Sequence, residues 1–344
     1  MKRRDFLSAT GTMAALGTLS SGNADGAAPA MPAAGPSAPP RGKTFGGCVP
    51  VTVTPYLNDH EVDTAAMKSL AARLSTAGCD GLFVAGSTGD MPFLSIPERV
   101  KLIQAARQGM SSDTVLYAGI SDFSLKDHIE NAKRFADAGA DAAVLMAPII
   151  FFTVSQPEVV EFFRQIADAS PIPIVLYHHM KVTTRTEPAT IAQLVDHPNI
   201  IGMKETGPTI DRTLEILKIV KGHEFFVLQG REAFLDESFK AGCHGCVAAL
   251  AGVSPEPFVG LNQAWRAGDM TAFQAHLNEV DRLCTLFDLM PGESFSYFTY
   301  TLKRMLEYRG WTDNAHVRLP GWTADPNYDR LLTETLKKFD YPTE

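Results

Sequence analysis

The chain has 344 residues, 45% of them hydrophobic, with a formal net charge of -8 and a pI near 5.6. That is enough apolar material for one barrel-sized domain or two ordinary ones. The acidic balance, with no long Lys/Arg run, argues against nucleic acid or an anionic membrane as a partner, so an anionic substrate must be met locally.

At the start, Met1-Lys-Arg-Arg-Asp-Phe-Leu7 sets paired arginines before a mildly apolar Ala/Gly/Thr-rich run that ends near Ser20. The run is too short and too weakly apolar to span a bilayer. Residues 1–30 therefore resemble a twin-arginine export signal, which implies a periplasmic mature protein; a frayed basic terminus is the plainer alternative. Residues 31–44 are rich in Pro and Ala and are expected to form a disordered linker. No later stretch reaches the ~18 uninterrupted apolar residues of a spanning helix.

Export would place five cysteines, Cys48, Cys79, Cys243, Cys246 and Cys284, in an oxidising space, and an odd count leaves at least one unpaired. Cys243-His-Gly-Cys246 has the spacing of a redox motif or half a zinc site. It lacks a second ligand pair, so core packing is the leading reading and a local disulfide the alternative.

From Phe45 onward short apolar runs alternate with amphipathic ones, the signature of βα units and a parallel sheet. Strands are expected at 47–54, 81–85, 115–119, 142–146, 172–177, 200–204, 225–229 and 245–249. Helical periodicity marks 63–77, 96–108, 124–138, 157–169, 187–195, 210–220 and 232–240. The phrases Ala77-Gly-Cys-Asp80, Ala138-Gly-Ala-Asp141 and Ala241-Gly-Cys-His244 each place a glycine stop before the next strand. Eight such units over about 200 residues fit a (β/α)8 TIM barrel spanning 45–256. A dinucleotide fingerprint after the first strand is absent. Residues 257–344 are expected to form a closing helix and a C-terminal helical extension, with an irregular crossing over 310–326.

The sixth strand, Ile200-Ile-Gly-Met-Lys-Glu-Thr206, ends on a lysine. Strand alternation puts Gly202 and Ile200 on the face of Lys204, with Ile201 and Met203 on the other, and Gly202 would leave room below the lysine stem. Burial disfavours a charged ammonium, and the neutral amine is the form that attacks a carbonyl. On this heptapeptide alone, a lysine snorkelling to water is the somewhat better reading.

Barrel chemistry sits at the C-terminal ends of the strands. Read together, those positions are Thr54-Pro55, Gly86-Ser-Thr-Gly-Asp90, Tyr177, Lys204 and Gly230, with Leu94-Ser-Ile-Pro-Glu-Arg99 and Gly139-Ala-Asp-Ala142 beside them. In this set the chain resembles the dihydrodipicolinate synthase and N-acetylneuraminate lyase family, the class I pyruvate-type aldolases. The resemblance implies Lys204 as the imine-forming lysine, Tyr177 as a proton shuttle and Ser87 as its catalytic hydroxyl partner. The loop from Gly86 to Gly89, with its backbone N–H groups and the Ser87 and Thr88 hydroxyls, would cradle a 2-oxo acid carboxylate, with Thr54, His178 and Gly230 as further substrate contacts. Imine chemistry of this kind implies no cofactor and no metal, and neighbouring strand residues such as His178-His179 point apart, which disfavours a metal pair.

Two departures bear on the substrate. Synthases of the lysine pathway carry a tyrosine pair after the proline of strand four, where this chain has Ile149-Ile-Phe-Phe152 after Pro148. Their arginine beyond the strand-five tyrosine is also out of register, leaving only Lys181 or Arg185 to substitute. The apolar quartet suggests a less polar far end of the substrate, with core packing as the plainer reading. Asp90, where the family has glutamate, suits a structural acceptor.

The expectation is thus an exported Schiff-base lyase, an aldolase, hydratase-aldolase or dehydratase acting on a 2-oxo acid such as pyruvate or a pyruvate adduct. An aldehyde is a possible co-substrate, and the family implies a homotetramer or homodimer. The alternatives are a non-catalytic periplasmic 2-oxo acid binding or sensory barrel, and dihydrodipicolinate synthase proper.

Overall fold

The computed structural model describes residues 43, 45–58, 60–149, 152–292, 294–319 and 322–339. The export signal expected over 1–30 lies outside them, as does the linker expected over 31–44 except for Lys43. That residue is tied down: its Nζ meets the Asp141 carboxylate at 2.6 Å.

Eight parallel strands form the barrel: β1 (Gly47–Cys48), β2 (Gly81–Val84), β3 (Val115–Gly119), β4 (Ala142–Met146), β5 (Ile174–His179), β6 (Ile200–Thr206), β7 (Phe226–Gln229) and β8 (Gly245–Cys246). Their order, β1-β8-β7-β6-β5-β4-β3-β2, is closed by a parallel bridge between Val51 and Phe83. The helices between them are α1 (Thr64–Thr76), α2 (Ile96–Gly109), α3 (Leu125–Asp137), α4 (Gln156–Ala169), α5 (Pro188–Leu194), α6 (Ile210–Ile219) and α7 (Leu235–Lys240); α8 (Glu256–Ala267) completes the ring. Beyond it lie α9 (Met270–Cys284), α10 (Phe295–Tyr308) and α11 (Pro326–Leu336). The architecture is the expected (β/α)8 TIM barrel with C-terminal helices.

Local chemistry sets the boundaries. Ser95 with Glu98 and Ser155 with Glu158 form capping boxes at the starts of α2 and α4. Gly78, Gly139 and Gly242, the glycines of the three repeated stops, all have left-handed φ, +92°, +103° and +96°. β1 is much shorter than the expected 47–54 because Pro50 brings no N–H to the ladder; single bonds from Val49 N to the Cys246 carbonyl and from Val51 N to that of Ala248 continue the pairing. Pro171 and Pro173 likewise delay β5, which starts at Ile174 and runs on through His179.

Two apolar layers result. Residues such as Val49, Phe83, Val144, Val175, Tyr177 and Leu228 fill the barrel, and a larger core lies between strands and helices. The expected parity of β6 is corrected at its start. The β5/β6 register shifts at Ile174/Val175, so Ile200 joins the outer core with Met203 and Ile201 packs against the inner one. A bulge of this kind reverses alternation. The five cysteines are all free; Cys243 donates to the Val227 carbonyl at 2.9 Å, so the local Cys243–Cys246 disulfide is not formed.

Candidate active site

β6 delivers Lys204 to the barrel interior, 4% exposed. Tyr177 on β5 lies directly opposite it in the ladder, and Lys204 Nζ stands 4.3 Å from the Tyr177 ring centroid and 5.2 Å from that of Phe83. The snorkelling alternative is therefore set aside, because the amine ends among aromatic faces inside the barrel. Apolar side chains including Val144, Val175, Leu228 and Val247 close the space beneath it. The room left by Gly202 does not serve the lysine stem as expected: a Cβ there would fall 2.6 Å from the Phe226 ring, which occupies that place. Gly230 does serve the lysine. A Cβ at Gly230 would clash with Thr206 Oγ1 and come within 3.2 Å of Lys204 Cε.

The segment after β2 faces this lysine. Ala85 and Asp90, at its two ends, have left-handed φ of +54° and +58°. Between them Gly89 N and Asp90 N turn back to the carbonyls of Gly86 and Ser87, while the amides of Ser87 and Thr88 meet no acceptor among the described residues. Two adjacent free N–H groups form a nest suited to a carboxylate. Gly86 lets the loop sit against Phe83, whose ring a Cβ would approach to 2.8 Å. The Ser87 hydroxyl lies 3.0 Å from that of Tyr177.

Not every expected contact is brought here. Thr54 is fully buried and its hydroxyl donates to the Gly89 carbonyl at 2.7 Å, so it braces the loop instead of facing a substrate. His178 is turned to the helix side, paired in the ladder with Glu205. Both its ring nitrogens are buried without a hydrogen-bond partner among the described residues, and burial, with Arg212 and Arg185 adding to it, pushes it down to about 3. Strand parity is the reason: with Tyr177 inward, His178 must face out and His179 in. Arg185 is exposed. Ile149 packs at the edge of the inner layer and Phe152 is 76% exposed, while Ile150 and Phe151 lie outside the described residues.

Three groups at the mouth went unselected by the sequence reading. His179 sets its ring edge-on to Tyr177, centroids 5.9 Å apart. Thr206, two residues beyond Lys204 on the same face, has a buried hydroxyl without a partner among the described residues. Arg231, after Gly230, stacks on Phe234 and donates to the Pro208 carbonyl at 3.2 Å. Counting in twos from Tyr177 and Lys204 would have found the first two. Asp90, expected as a structural acceptor, takes 2.9 Å hydrogen bonding from Lys303 of α10, a buried pair that ties the loop to the C-terminal helices.

A lysine buried at the mouth of a (β/α)8 barrel, with a tyrosine, a hydroxyl and a free amide pair around it, defines a class I aldolase-type lyase. The chain belongs to the Dihydrodipicolinate synthetase family, whose profile matches residues 44–339. It is 31% identical over 307 residues to the 4-hydroxy-tetrahydrodipicolinate synthase of Haloarcula marismortui, covering 87% of this chain and 96% of that one. The crystal structure of YagE, a prophage protein of the dihydrodipicolinic acid synthase family from E. coli K12 in complex with pyruvate, superposes with a TM-score of 0.79 at 27% identity, over 86% of this chain and 98% of that one. Dihydrodipicolinate synthase from Aquifex aeolicus has the same TM-score at 24% identity, over 87% and 100% of the two chains, a likeness of fold.

Proposed function

We propose that the chain forms a Schiff base between Lys204 and the ketone of pyruvate or a pyruvate adduct and acts as an aldolase, hydratase-aldolase or dehydratase. The observation that carries this is the placement of Lys204 Nζ over the Tyr177 ring while the Tyr177 hydroxyl meets Ser87. The amine adds to C2 and water leaves. The protonated imine then accepts the electron pair released when a bond at C3 breaks, giving an enamine that is later protonated at C3. Tyr177 moves the protons and Ser87 passes them on. The amides of Ser87 and Thr88 hold the carboxylate.

A lysine-pathway synthase activity is less favoured by the site. Ile149 stands where those enzymes place a tyrosine, and Arg185 points to solvent. The paired arginines at Arg3-Arg4 support export by the twin-arginine route to the periplasm, and a homodimer or homotetramer is the family's expected assembly.

The direct test is borohydride reduction in the presence of pyruvate. Mass spectrometry should find the reduced adduct on Lys204 and none in Lys204→Ala. Failure to trap at saturating pyruvate would remove the Schiff-base reading. Export is tested separately, by fusing residues 1–44 to a reporter and replacing Arg3-Arg4 with lysines, which should leave the reporter in the cytoplasm.

A further inference from the structure

We infer that His179 donates a hydrogen bond from Nε2 to the oxygen on C4 of a 4-hydroxy-2-oxo acid, the oxygen that carries negative charge as the C3–C4 bond is made or broken. The inference rests on the Schiff-base reading above. Tyr177 and His179 share one face of β5, and the imidazole stands edge-on to the Tyr177 ring at 88°. Its Nδ1 accepts the backbone N–H of Lys181 at 3.1 Å. A neutral imidazole has one donor and one acceptor, so the proton resides on Nε2, on the ring edge turned away from that backbone. No described residue bonds Nε2.

Neutrality is supported independently. Burial, then the neighbouring charges of Lys204, Lys181 and Arg231, push His179 down to about 4. The group is therefore a fixed donor near neutral pH and not a base, because its only lone pair is already engaged. A neutral imidazole that polarises an oxygen is an established catalytic device.

The substrate's direction follows from the walls. C2 is held at Lys204 and the carboxylate at the loop after β2, while Val175 and Leu228 close the space below. Carbons beyond C3 can extend only toward the mouth, where His179 stands one side-chain layer above Tyr177. In the cleavage direction the C4 hydroxyl loses its proton to the Tyr177 relay and becomes a carbonyl as the C3–C4 pair moves into the enamine. In condensation the aldehyde oxygen gains the charge and is then protonated. His179 keeps its own proton throughout.

The test separates the two halves of the reaction. His179→Ala should keep borohydride trapping of pyruvate and deuterium exchange at its C3 close to native, since neither involves a C4 oxygen. Cleavage of the pyruvate adducts of glyceraldehyde and of benzaldehyde should slow by about 10²- to 10³-fold in kcat, the usual effect of removing one oxyanion donor. His179→Gln, which restores an N–H donor, should recover at least part of that loss. Cleavage unchanged in His179→Ala, exchange and cleavage falling together, or native enzyme that exchanges pyruvate yet cleaves neither adduct would each overturn the inference. Absence of trapping in native enzyme would instead sink the Schiff-base reading beneath it.

Discussion

The hydroxyl of Tyr177 lies 3.0 Å from that of Ser87, while the face of the same ring receives Lys204 Nζ. One side chain thus touches both the expected nucleophile and the loop that would bind the carboxylate. Tyr177→Phe keeps the ring and removes the proton carrier, so kcat should fall by about 10²- to 10⁴-fold. Ser87→Ala removes one neutral hydrogen bond and should cost only about tenfold. Steady-state rates on one 2-oxo acid substrate decide this, and a Ser87→Ala loss equal to that of Tyr177→Phe would show that every proton must pass through the serine.

The Lys303–Asp90 pair should matter more to stability than any surface ion pair. Both groups are nearly fully buried at 2.9 Å, Lys303 also donates to the His316 carbonyl at 3.0 Å, and its Nζ lies 4.3 Å from the Tyr56 ring centroid. Lys303→Met leaves a buried carboxylate unpaired, an effect of about 3–5 kcal/mol. The double variant Lys303→Met with Asp90→Asn should recover most of it, since asparagine tolerates the left-handed backbone at position 90. Denaturant midpoints of the native, single and double forms measure the coupling.

Much of this site was legible in the sequence because it is periodic or contiguous. Strand ends such as Tyr177 and Lys204 follow from counting βα units, and the Gly86–Asp90 loop is one unbroken phrase. His178 differs from the expected substrate contact because Tyr177 faces inward, which turns its strand neighbour to the helix side beside Glu205. The Ile201 bulge could not be foreseen, since it depends on where β5 pairs with β6. Lys303 is 213 residues from Asp90, and no local pattern joins them.

Gly230 should resist even the smallest substitution. The place of its missing Cβ is claimed by Thr206 Oγ1 and lies 3.2 Å from Lys204 Cε. Gly230→Ala must push the lysine stem or the threonine aside, and misplacing a reacting group by about 1 Å can cost about 100-fold in rate. Borohydride trapping should slow along with turnover. Trapping at the native rate would show that the threonine alone gives way.

Glu205, next to the lysine but outside the barrel, should make stability fall as pH rises. Its carboxyl is fully buried, Oε1 meets Arg212 Nε at 3.2 Å and Oε2 has no partner among the described residues. Burial raises it from 4.5 to about 7 against the pull of Arg212. A carboxyl whose folded value is raised holds more protons folded than unfolded between those two values, so its contribution is fully present below pH 4.5 and is lost as pH rises through 7. The loss amounts to about 3 kcal/mol. Glu205→Gln keeps an acceptor for Arg212 and removes the titration, so between pH 5 and pH 8 its stability should lose less, or gain more, than that of the native protein. His178 across the ladder works in the opposite direction, because burial depresses it and favours the fold as pH rises toward 6.5. It is present in both proteins, so the difference between their urea unfolding free energies at the two pH values isolates Glu205. Equal slopes would mean that the carboxylate stays ionised beside Arg212.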